Sequence, residues 1–326
     1  MVFKFSINKT CDGDRRMKNR LPTWMLVLSF IISTFLGGNN AIAVSFSNAE
    51  LPPFWGGALR MFGASLILLA TVLILGLKIP KGRSLIAAIL FGVLQFGFSY
   101  VLIYWSLLDV PPGMFMVVLS LTPLLTFSFA IIFHQEKFQW QILIGGLLSL
   151  IGTVLVFYEG LVADVPLLSL LAIIFVAVFF ALAMVLFKAR SSSHPVTTNA
   201  IGMSVGGIIL LISSFVFQEV RSFPKITSTW VALIYLIIFG SVITFGLSFY
   251  VLKHWKASIT SYQMVLLPIV TIVFSSILIG EVINAMFVVG GFFVLFGVYI
   301  GAVAPKTIFM KIICFFKKNL KLSPCG

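Results

Sequence analysis

The chain has 326 residues, 60% of them hydrophobic and 10% charged, with a mean hydropathy of +1.15 and a net charge of +13. So few charges cannot cover a water-soluble surface, which excludes a soluble globular domain and points to a chain that crosses a bilayer many times. In a soluble protein the basic excess would suggest nucleic acid. Here Lys and Arg sit between long apolar runs, so the expected partner is the anionic inner leaflet and not nucleic acid.

In chain order, residues 1–23 form a polar, basic tail. The apolar run that follows is of span length and lacks a small-residue cleavage pattern, so it reads as a first span and not as a cleaved signal. A helix needs about 20 apolar residues to cross the hydrocarbon core. Runs of that kind predict ten spans, at 24–43, 54–76, 85–108, 112–133, 140–158, 167–187, 199–217, 230–252, 257–279 and 284–303. The connections are short and leave no room for a soluble domain. Backbone groups in lipid must be satisfied within their own segment, and the runs do not alternate as barrel strands would, so the spans are expected to be helices. In the closing tail, 304–326, Phe309, Ile312, Ile313, Phe316 and Leu320 share one helical face. A short helix on the inner leaflet and a frayed basic tail both fit that pattern. Cys11, Cys314 and Cys325 fall in the two tails and match neither a disulfide framework nor a metal site.

Basic residues orient the spans. With the N-terminus in the cytoplasm, nineteen of the 22 Lys and Arg lie in the tails and inner connections, against Arg221 and Lys225 outside and Arg60 within a span. That asymmetry predicts a cell-membrane protein with both termini cytoplasmic.

The chain also repeats itself. Pro123, Glu136, Gly145-Gly146 and Gly152 are followed 145 positions later by Pro268, Glu281, Gly290-Gly291 and Gly297, with no gap. A constant offset of this kind marks an internal duplication. It divides the chain into a five-helix repeat at 24–158, a linker at 159–166 outside the membrane, and a second five-helix repeat at 167–303. Five is odd, so the repeats must cross in opposite directions, an arrangement characteristic of transporters with a site near the midplane. The expected fold is all-α, with ten transmembrane helices as two inverted repeats.

These residues resemble the EamA family of the drug/metabolite transporter superfamily. In that family each half carries a span with a proline, an acidic residue at the helix end and a glycine-bearing span. Gly37-Gly38-Asn39 resembles its first-span step, and Pro53 with Arg60 its second. The usual Trp before the first-span Gly is replaced by Leu36, and the acid is followed by Lys137 in one half but Val282 in the other. The resemblance covers nearly all of the chain outside the tails. It implies two EamA modules carrying a small organic solute across the cytoplasmic membrane, with export in keeping with the family.

Several residues are candidates for the site. Arg60 is the one charge inside a span, roughly 10 Å deep at 1.5 Å per residue. It needs a partner, with Asp109 or Glu50 as the expected one, or else must reach water at the outer interface. Pro123 and Pro268 fall near mid-span and would free the carbonyls of Leu119 and Met264, for a central site or for a local kink. Gln95, Ser99 and Ser106 on the third span, and Ser241, Thr244 and Ser248 on the eighth, form polar stripes. With Asn39, Asn40, Tyr104 and Gln263 they could line a hydrated path, although Ser and Thr in such helices often bond their own backbone. Gly145, Gly152, Gly290 and Gly297 suit close helix packing. Glu136 and Glu281 end their helices and suit an interfacial or coupling role.

The expected function is that of a secondary transporter, most simply an exporter, of a small polar solute such as an amino acid, a metabolite or a drug. No nucleotide-binding motif, metal site or cofactor motif is present in the sequence. An intramembrane enzyme would need clustered nucleophiles and bases at one depth, and an anchor or assembly factor would have no use for an inverted repeat with polar stripes. A homo-oligomer is compatible with the sequence.

Overall fold

The computed structural model describes residues 23–106, 108–110, 112–156, 166–190, 194–279 and 285–304. Glu281 and the closing tail beyond residue 304 lie outside these residues. Among the described residues every regular element is helical. Eight helices are long and apolar enough to cross a membrane, and Trp140–Val156 and Ala257–Thr271 are shorter apolar helices, which together make ten spans.

The first span is interrupted: α1 (Thr23–Gly38) stops at Asn39 and α2 (Asn40–Asn48) resumes. The second is α3 (Pro53–Ile74). The third joins α4 (Arg83–Gly92) to α5 (Ser99–Ser106) through a π-helical turn at Val93–Phe98. The fourth breaks between α6 (Pro112–Leu119) and α7 (Thr122–Ile132), and the fifth is α8 (Trp140–Val156). In the second half, α9 (Leu167–Arg190) and α10 (Pro195–Val216) are continuous. The eighth span joins α11 (Thr227–Ile237) to α12 (Thr244–His254) through a π-helical turn at Ile238–Ile243. A short α13 (Ala257–Thr260) leads into α14 (Gln263–Ile279), and α15 (Ala285–Val298) closes the bundle with a π-helical end at Tyr299–Val303.

The π turns of the third and eighth spans lie 145 positions apart, the offset of the sequence repeat. A π turn shifts backbone bonding from i−4 to i−5 and leaves a carbonyl out of register. Both repeats answer in the same way. Ser99 Oγ donates to Leu94 O at 2.6 Å, and Thr244 Oγ1 donates to Phe239 O at 2.7 Å, each five residues back. The duplication is therefore visible in a backbone irregularity as well as in residue identity.

Packing follows the same symmetry. α3 lies along its counterpart α10, and α8 along its counterpart α15. The first span of each repeat packs on the other repeat: α1 against α12 and α14, α9 against α5 and α7. The α8–α15 seam is lined by glycines. A Cβ on Gly145 would stand 2.6 Å from Gly297 O, and one on Gly152 2.7 Å from Gly290 O. The earlier glycine of one helix meets the later glycine of the other, so these equivalent helices run antiparallel. Backbones in this contact gain dispersion that a side chain would block.

Carboxylates tie the helix ends. Pro53 has no N–H, and the next two donors of α3 go to Glu219: Phe54 N to Oε1 at 3.0 Å and Trp55 N to Oε2 at 2.7 Å. In return Glu50 accepts from Lys225 N at 2.6 Å and Ile226 N at 3.2 Å, just before α11. Each carboxylate sits at a helix N-terminus, where the macrodipole favours a negative charge. The Lys225 backbone N–H, chiefly, holds the Glu50 carboxyl below its ordinary value of 4.5, with the Thr229 hydroxyl and the Ile226 N–H adding to it against desolvation. Because folding lowers this pKa, the contribution to stability is full above pH 4.5 and is lost as pH falls through the folded value. Glu50→Gln is expected to blunt the acid sensitivity of the thermal midpoint. An unaltered profile between about pH 6 and about pH 3 would remove Glu50 from the account.

Candidate functional site

Arg60 extends from α3 into the bundle and is 2% exposed. Its Nε donates to Ser241 Oγ at 2.8 Å and its Nη2 to Gly240 O at 3.1 Å, both in the π turn of the eighth span. The guanidinium lies over the Tyr100 ring, 5.5 Å from its centre, and the Tyr104 hydroxyl is within hydrogen-bonding reach. Tyr104 is pressed so closely on α3 that a Cβ at Gly57 would come within 2.6 Å of its ring. From the first span, Asn40 Nδ2 donates at 3.1 Å to the same Gly240 carbonyl. Two side chains of the first repeat thus converge on one backbone group of the second.

Gly240 makes this possible. Its counterpart in the first repeat, 145 positions earlier, is Gln95. A side chain at 240 would run into the Asn40 amide. The counterparts of Asn40 and Arg60 are Val185 and Val205, so only one of the two equivalent corners carries a charge.

The expected ion pair does not form. Arg60 is not partnered by Asp109, which accepts from Ser169 Oγ at 2.9 Å, nor by Glu50, which caps α11. It does not reach water at the outer interface either, since it is buried. The carbonyl freed by Pro123 is also spent: Thr122 Oγ1 donates to Leu119 O at 2.5 Å, and the helix restarts there. Pro268 lies inside the continuous α14, and near it Thr271 Oγ1 bonds Gly38 O at 2.6 Å and Leu267 O at 3.0 Å, tying the ninth span to the first.

The other candidates divide. Asn39 Nδ2 turns back to Phe35 O at 3.0 Å. Ser99, Ser106 and Thr244 bond carbonyls of their own helices. Ser241 joins the Arg60 cluster, whereas Ser248 is half-buried without a hydrogen bond to the described residues. Gln95 is buried and its Oε1 has no partner among the described residues. Gln263 is buried beside Tyr262, whose hydroxyl donates to Ile142 O at 2.8 Å in the α8 seam.

Glu136 spans the two repeats. Its Oε1 accepts from Ser258 N at 3.2 Å and its Oε2 from Ser258 Oγ at 2.5 Å, at the start of α13. Nearby, Lys188 Nζ donates to Leu252 O, Lys253 O and Trp255 O at 3.0, 2.9 and 2.7 Å, where the carbonyls ending α12 favour a cation. In a double-mutant cycle, Glu136→Ala and Ser258→Ala are expected to be non-additive in stability by at least about 0.5 kcal/mol. Strict additivity would show that the contact carries nothing.

Residue reading missed two polar features. Ser65 Oγ and Ser204 Oγ share a hydrogen bond of 2.6 Å between α3 and α10. Asn199, fully buried, donates Nδ2 to Phe245 O at 3.2 Å and leaves Oδ1 without a partner among the described residues. The signal for both was a polar residue within a long apolar run.

This arrangement defines a multi-pass helical membrane protein made of a duplicated five-helix unit, with a polar cluster between the units. The EamA-like transporter family matches the sequence twice, over residues 23–158 and 167–302, and the chain belongs to that family. An uncharacterized inner membrane transporter, YedA of Escherichia coli K12, is 24% identical over 82% of this chain and 87% of its own length. An uncharacterized transporter of Archaeoglobus fulgidus is 26% identical over 79% and 91%, and the uncharacterized transporter YyaM of Bacillus subtilis 27% over 85% and 92%. A protein of known crystal structure shares the fold, with a TM-score of 0.76 at 17% identity over 87% of this chain and 99% of its own.

Proposed function

We propose that the chain is a secondary transporter that exports a small polar organic solute across the cytoplasmic membrane by alternating access, with both termini in the cytoplasm. In this reading residues 24–158 and 167–303 are the two moving repeats, 159–166 links them outside the membrane, and 1–23 and 304–326 are basic tails at the inner leaflet. The observation that carries it is the polar cluster where the repeats meet: Arg60 and Asn40 from one repeat on Gly240 and Ser241 of the other. Relative motion of the repeats must remake these bonds, which is how an inverted repeat couples a central site to opening on alternate faces. The antiparallel α8–α15 seam supplies a fixed contact about which such motion can occur.

The test is efflux from vesicles. Purified protein is inserted into vesicles loaded with a cytosolic small-molecule extract, and the retained solutes are identified by mass spectrometry. At least one solute is expected to leave vesicles that contain the protein and to stay in protein-free ones. Complete retention would favour an anchor or assembly factor.

A further inference from the structure

We infer that Lys188 and Glu136 latch the corner between α12 and α14, residues 252–258, and so hold the path shut on the face that carries them; this rests on the alternating-access reading above. Because the first spans are exchanged, the third, fourth and sixth spans pack as one group, with α9 on α5 and α7. The first, eighth and ninth pack as another, with α1 on α12 and α14. The latch joins these two groups. Lys188 Nζ has three N–H donors and gives one each to Leu252 O, Lys253 O and Trp255 O, so the end of α9 caps α12 from the other group. Glu136, just past α7, takes the Ser258 N–H and hydroxyl of the same corner.

Behind the latch the same two groups meet through aromatic rings. Phe249 of α12 is buried edge-on against Phe91 of α4, with ring centres 4.8 Å apart, and tilted against Phe187 of α9 at 5.1 Å. Somewhat deeper, Phe245 meets Phe96 edge-on at 4.9 Å. Rings packed in this way leave no room for water, as in constrictions that close by dewetting. At the opposite face the carboxylates bond differently. Asp109 holds Ser169 inside the first group, and Glu50 holds the start of α11 inside the second. Glu219 ties the end of α10 to α3, which belong to neither. Among the described residues, the side-chain hydrogen bonds and ring contacts between the two groups therefore all lie toward the Lys188 face. Lys188 is only half-buried, so its ammonium regains water when the corner moves away and no charge is stranded in the bilayer.

The test uses the full chain with Cys11, Cys314 and Cys325 changed to serine. Ala257→Cys then puts one thiol in the buried contact of α13 with α7, and Ala232→Cys, made separately, puts one in α11 as a control. Lys188→Met is expected to speed labelling at 257 by a membrane-impermeant maleimide at least tenfold and to leave labelling at 232 unchanged. Equal rates at 257 with and without Lys188 would overturn the latch, and so would a parallel rise at both thiols, which signals general loosening. The second variant locks the corner. Glu136→Cys with Ser258→Cys, joined by a reducible thiol cross-linker, is expected to cut efflux from the loaded vesicles at least tenfold, with recovery on reduction. Undiminished efflux from cross-linked protein would overturn the latch and leave the transporter standing. If nothing leaves the vesicles even without the cross-link, the transport reading fails and takes this inference with it.

Discussion

Replacing Arg60 with alanine is expected to abolish transport, at least a hundredfold in rate per inserted molecule, while the protein reaches the membrane at normal abundance. A hundredfold corresponds to about 2.7 kcal/mol of barrier. Stability should change far less, because the substitution removes a cost along with its bonds. A charge within a span costs about 2.5–3.5 kcal/mol on insertion scales, and hydrogen bonds made by a charged group return about 1.5–3 kcal/mol each. Gly240 O would keep its bond from Asn40, and Tyr100 and Tyr104 would keep their packing on α3 and on each other. Efflux normalised to inserted protein is the measurement. Wild-type rates in the alanine variant would leave Arg60 as a strut and nothing more.

The second large effect concerns neighbouring glycines with opposite fates. Gly290→Ala is expected to lower the thermal midpoint sharply, because the new methyl would stand 2.6 Å from Gly152 O and 2.7 Å from Val156 N, both backbone atoms that cannot turn aside. Overpacking of this kind costs about 1–3 kcal/mol, and more where backbones must part. Gly291→Ala, one residue on, should be neutral or slightly stabilising, since nothing lies within 4 Å and alanine is the better helix former. Scanning both by thermal denaturation in detergent decides the matter. Equal effects would mean that the seam is looser than described.

Much of this architecture is legible in the chain, for physical reasons. Span length and lysine placement follow from the bilayer itself. The duplication shows through Pro, Glu and Gly because apolar residues interchange freely while those three do not. The seam role of Gly145, Gly152, Gly290 and Gly297 follows from size alone, and the contacts agree. The site is less legible. Asp109 and Glu50 were natural partners for Arg60 by depth, but loop geometry carries them to Ser169 and to the start of α11. Ser99 and Thr244 keep helical spacing from their stripe neighbours, yet a π turn rotates the register and gives each hydroxyl a carbonyl five residues back. No apolar pattern announces such a turn. Asn199 and the Ser65–Ser204 pair escaped because their partners lie on other helices, 46 and 139 residues away.

The exchange of first spans has a consequence for how the protein is made. α1 rests on α12 and α14, yet α12 begins at Thr244, about 200 residues after α1 ends at Gly38. At about 5–20 residues per second, the ribosome needs roughly 10–40 s to deliver that neighbour. Until then the opening helix must wait among lipids, with Gly37 and Gly38 facing acyl chains where Leu267 and Val270 will later sit. A nascent chain halted after the fifth crossing would therefore be a substrate for membrane quality control, and two such half-length chains could mature only by lending each other their leading helices.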